Sequence, residues 1–135
     1  MGIPQGILTN NCVSTIISSE ETYYGGFGGD VYQNSVPTNA LSIPINTTIR
    51  AIGIVVATEF VDVTDEINLR ITNLSEGIDA SVTFTEWQTY SLLVSAITPM
   101  VLEQYFKVYM SIAFSGSLAQ LEVIQTFALY DLMTP

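Results

Sequence analysis

The residues with the most chemical reach in this chain are acidic, and their densest run is Asp62-Val63-Thr64-Asp65-Glu66. Hard cations such as calcium take several oxygen ligands, and an irregular loop between two strands can offer them from one turn. Asp62, Asp65 and Glu66 are therefore candidate metal ligands, with calcium as the candidate ion. The run lacks the glycine and the ligand ladder of an EF-hand. Its plainer alternative is a solvated loop whose charges keep two apolar strands from aggregating.

Other chemistry is excluded by residue type. The chain has no histidine, the most common general base and a common metal ligand. Cys12 is the single cysteine, so neither an intrachain disulfide nor a Cys-His couple can form. It reads most simply as a small buried apolar residue. A Ser-His-Asp triad is impossible. Lys107 falls inside a strand pattern and is a poor Schiff-base candidate. Carboxylate pairs of the glycosidase kind remain, with Glu86, Glu103 and Glu122 on or near strand patterns. A β-protein of 135 residues leaves little room for a deep cleft. The expectation is a protein that is not an enzyme and carries no cofactor. Trp87, the only tryptophan, has two readings: a core anchor, or a stacking platform that would make it the candidate ligand-binding residue for a sugar.

Composition narrows the partners. Hydrophobic residues make up 48% of the chain and charged residues only 12%, about half the usual share of roughly 25%. There is ample apolar material for a core, so the chain is not disordered, and its length fits a single domain over 1–135. Its solvated face must be built from Ser, Thr, Asn and Gln. That suits a hydroxyl-rich monomer, or a subunit whose outer faces are covered by neighbours. Thirteen acids stand against Arg50, Arg70 and Lys107, a formal charge of -10. Phosphate recognition needs a basic patch, so nucleic acid is not an expected partner, and an anionic membrane surface is disfavoured. Both arginines are expected on outward strand faces, paired with surplus acids. The opening MGIPQGILTNN has no basic region followed by an apolar run, so no secretion signal is expected. No apolar run approaches the roughly 20 residues of a membrane span.

Strands must position whatever the chain does. Residues 1–12 read as an irregular lead-in or an extended arm, followed by a short strand in CVSTIIS. Gly25 to Gly29 (GGFGG) cannot hold regular structure cheaply; this loop either tucks Phe27 into the core or presents it to a partner. Pro37 and Pro44 confine any strand between them to an edge. In 47–60, Ile49, Ala51, Gly53 and Val55 alternate with Ile52, Ile54 and Val56. Both faces are apolar, so this strand is expected to be covered on both sides. In 67–72, Ile67, Leu69 and Ile71 point inward and Asn68, Arg70 and Thr72 outward. Asn73 to Gly77 is a turn cluster. Tyr90, Leu92 and Val94 share one face of the next strand, which Thr98-Pro99 is expected to break. The clearest alternation covers 105–130, read as a hairpin turning at 115–118, with Ile112 opposite Leu121, Met110 opposite Val123 and Phe106 opposite Phe127. Its second face would carry Tyr105, Tyr109, Ile124, Ala128 and Tyr130 as an apolar stripe, the expected interface together with Phe27. Seven to nine strands at this spacing point to an all-β, single-domain antiparallel β-sandwich of jelly-roll type.

Glu86-Trp87-Gln88-Thr89-Tyr90-Ser91-Leu92, followed by two long alternating strands, resembles the back half of galactose-binding-like jelly rolls. The resemblance covers about 82–132. Such folds occur in carbohydrate-binding modules and in virion proteins. The poverty of charge and the wealth of Thr, Asn, Ser and Tyr look more like bacteriophage structural proteins such as capsid decoration (cement) proteins. The resemblance implies that the last two strands can sit in opposite sheets, with the pairs above meeting across the core. It implies a virion subunit, a homo-oligomer with a trimer as its candidate form, bound to a major capsid or other virion protein. A carbohydrate-binding module on a phage tail or other surface is the alternative, and it requires an exposed Trp87 or exposed tyrosines.

Overall fold

A computed structural model describes residues 6–10, 14–17, 21–25, 30–33, 41–42, 46–57, 66–85, 87, 91–115 and 120–132. Every regular element among them is a strand. In chain order these are β1 (Gly6–Asn10), β2 (Ser14–Ile17), β3 (Glu21–Gly25), β4 (Asp30–Gln33), β5 (Leu41–Ser42), β6 (Thr47–Val56), β7 (Glu66–Asn73), β8 (Ile78–Phe84), β9 (Ser91–Leu102), β10 (Lys107–Ser115) and β11 (Gln120–Leu132). Eight of them run for five residues or more. All pairings between them are antiparallel.

The strands form two sheets. One has the order β1-β11-β6-β9, with β2 also on β11; the other has the order β4-β3-β10-β7-β8, with β5 also on β10. Counting only the eight longer strands, the first sheet holds the first, eighth, third and sixth, and the second holds the second, seventh, fourth and fifth. Except for the fourth and fifth, successive strands thus cross between sheets, which is the jelly-roll order. The core lies between the sheets. Ile52, Ile54 and Val56 of β6 meet Ile67, Leu69 and Ile71 of β7 and Met110, Ile112 and Phe114 of β10, all buried in one cluster. Fully burying one such side chain contributes about 1.5–3 kcal/mol. Trp87 belongs to this cluster and sets its ring edge-on to Phe114, with centroids 6.3 Å apart.

Four expectations change. β10 and β11 do not form a hairpin: β10 pairs with β7, β3 and β5, and β11 with β6, β1 and β2. Met110, Ile112 and Val123 still share the core cluster, now across the sandwich. Alternation fixes which face of a strand is buried, and a partner beside it or opposite it satisfies the pattern equally well. Secondly, Gly6–Asn10 of the supposed lead-in is a strand on β11, in register from Gly6 with Tyr130 to Asn10 with Thr126. Thirdly, Pro99 does not end β9. The strand runs on to Leu102, and Ile97, Thr98 and Pro99 bulge opposite Arg50 alone, between the pairs Ala51 with Ala96 and Ile49 with Met100. A bulge on an edge strand is where a proline is tolerated. Fourthly, the interface stripe is divided between the sheets.

The turn at Asn73 to Gly77 joins β7 and β8 as expected. The Glu76 amide donates to Asn73 Oδ1 at 3.2 Å, the Gly77 amide to the Asn73 carbonyl at 2.8 Å, and Gly77 takes a positive φ of 69°. β3 and β4 are antiparallel neighbours; residues 26–29 between them, with Phe27, lie outside the described residues.

Candidate interaction surface

The two sheets present very different outer faces. On β1-β11-β6-β9, inward residues such as Ala128, Ile52 and Thr126 leave the alternate positions facing away from the core. Register aligns these in three successive rows. The first is Ile7, Leu129, Ala51 and Ala96; the second is Phe127, Gly53 and Val94; the third is Gln125, Val55 and Leu92. No row contains an ionisable residue. Phe127 is nevertheless buried, because its ring lies on Gly53: a Cβ there would stand 2.1 Å from Phe127 Cζ. The missing side chain gives the ring its bed and levels the face. Around it Ile7 is 52% exposed, Leu92 63% and Val94 48%. β6 was expected to be covered on both faces. Among the described residues one face is packed in the core; on the other Gly53 is buried under Phe127, and Ala51 and Val55 are half-buried.

Charged groups frame this surface. At one end Arg50 Nε donates to Asp131 Oδ2. Arg50 is the extra residue of β6, sitting between the pairs Ile49 with Tyr130 and Ala51 with Leu129. At the other end Glu122 is exposed.

The described outer face of β3, β10, β7 and β8 is polar and largely paired within itself, although Thr72 Oγ1 has no hydrogen-bond partner among the described residues. Arg70 pairs with Glu21 and stands 3.7 Å from Asp79. Its Nε donates to Ser111 Oγ at 3.3 Å, and Ser111 donates to Glu21 Oε2 at 2.7 Å. Tyr23 donates to Glu21 Oε1 at 3.1 Å and tilts against Tyr109 with centroids 5.7 Å apart. Burial opposes the charge of Arg70, but Glu21, with help from Tyr23 and Asp79, outweighs it and raises the guanidinium above its ordinary pKa. Burial, then the Glu21 carboxylate, raises the phenol of Tyr23 above its usual 10.0. A raised folded pKa means stability that is complete below the unfolded value and is lost as pH climbs through the folded one. Stability should therefore decline above pH 10, and Tyr23→Phe should shallow that decline in urea titrations at pH 9 to 11. An unchanged alkaline slope would contradict it.

The residues expected from sequence fall in several places. Tyr105 is exposed in the turn before β10, with a positive φ of 68°. Tyr109 is buried beneath the polar face of its sheet, and Ala128 is buried in the core. Ile124 is half-buried at the bulge of β11 between Val123 and Gln125, and Tyr130 is half-buried against the core. These five therefore make no common stripe, because β10 and β11 belong to opposite sheets. Trp87 is the core anchor and not an exposed platform, which leaves the sugar-binding alternative without its tryptophan. Asp62 and Asp65 lie outside the described residues. Glu66 is exposed at the start of β7, and among the described residues no group of three or more His, Cys, Asp and Glu could hold a metal ion. Both arginines pair with acids as expected. Exposed Ile7 and half-buried, outward Leu129 and Val55 are not singled out by the sequence as parts of this face; for Val55 the doubly apolar pattern of β6 is the signal.

Among the described residues no helix is long and apolar enough to cross a membrane. Set against known proteins, the chain matches no family model and no curated protein sequence.

Proposed function

We propose that this protein is a non-enzymatic structural subunit that acts by burying the outer face of its β1-β11-β6-β9 sheet against other subunits. In the finer form of this reading it is a bacteriophage virion protein, a capsid decoration (cement) subunit that self-associates and docks on a major capsid or other virion protein. It uses neither nucleic acid nor membrane. One observation carries the reading: three uncharged rows with Ile7, Leu92 and Val94 exposed, in a chain of net charge -10. Charged surfaces keep small domains soluble and apart, and an apolar area free of charge is what interface cores look like. Two identical chains repel one another through their acids, so this face offers them the least electrostatic resistance.

The test is a variant carrying Ile7→Glu, Leu92→Glu and Val94→Glu. All three side chains are exposed, so far-UV circular dichroism should be retained. Light scattering should show the assembly reduced to single chains. Ile78→Glu, equally exposed on β8 of the other sheet, should leave the mass unchanged. A triple variant with the wild-type mass would remove this face from the account.

A further inference from the structure

We draw no further inference here: the strongest candidate, the surface turn before β10 that holds the exposed Tyr105 at a positive φ of 68°, carries none because nothing in the structure shows what covers it.

Discussion

Gly53→Val is expected to destabilise the protein by about 3 kcal/mol, read as a fall in the urea midpoint at unchanged slope. A Cβ at Gly53 would sit 2.1 Å from Phe127 Cζ, 2.6 Å from Cε2 and 2.7 Å from the Leu93 carbonyl oxygen. The ring can swing away, but only by leaving the sheet face it covers. The Leu93 carbonyl cannot, because Leu93 is held in the ladder opposite Ile54. Phe127→Ala should therefore rescue Gly53→Ala in part, and the two changes should be strongly non-additive. A Gly53→Val protein within 0.5 kcal/mol of wild type would show that Phe127 does not lie on this glycine. The same pair matters for assembly, since a ring bedded in the sheet leaves a level surface.

Arg50→Ala should cost about 2–3 kcal/mol, somewhat below the usual cost of breaking a fully buried pair because Arg50 keeps some access to water. Asp131 is the more enclosed partner: its side chain is 10% exposed, and Oδ1 has no hydrogen-bond partner among the described residues. Removing the arginine strands a carboxylate that is nearly dry. Asp131→Asn should be milder, about 1 kcal/mol, because the guanidinium can turn to solvent. The double variant should then be more stable than Arg50→Ala alone. Equal costs for the two single changes in chemical denaturation would contradict this asymmetry. The bulge that isolates Arg50 from both neighbouring strands is what aims it at Asp131.

Period-two alternation made the inward sets of β7 and β10 legible, and the apolar character of both faces of β6 marked a strand whose outer face carries no charge from Ala51 to Val55, although only its inner face is packed in the core. Alternation could not say which strand lies beside which. The short link after β10 looked like a hairpin turn, yet in this topology it carries the chain from one sheet to the other. Tyr109 illustrates the second limit. On β10 alone it belongs to an outward set, and it is buried because Tyr23 and the ion pairs around Arg70 come to rest on it. Those contacts join residues 41, 49 and 90 positions apart, beyond the reach of any local pattern. Leu92 and Val94 were seen to share a face, but their exposure depends on what the rest of the chain leaves uncovered.

The assembly account is tested most directly by the mass of the wild-type protein in solution, measured by light scattering across a hundredfold dilution. It predicts a fixed multiple of 14.7 kDa that survives dilution. A single species at 14.7 kDa over the whole range would contradict it.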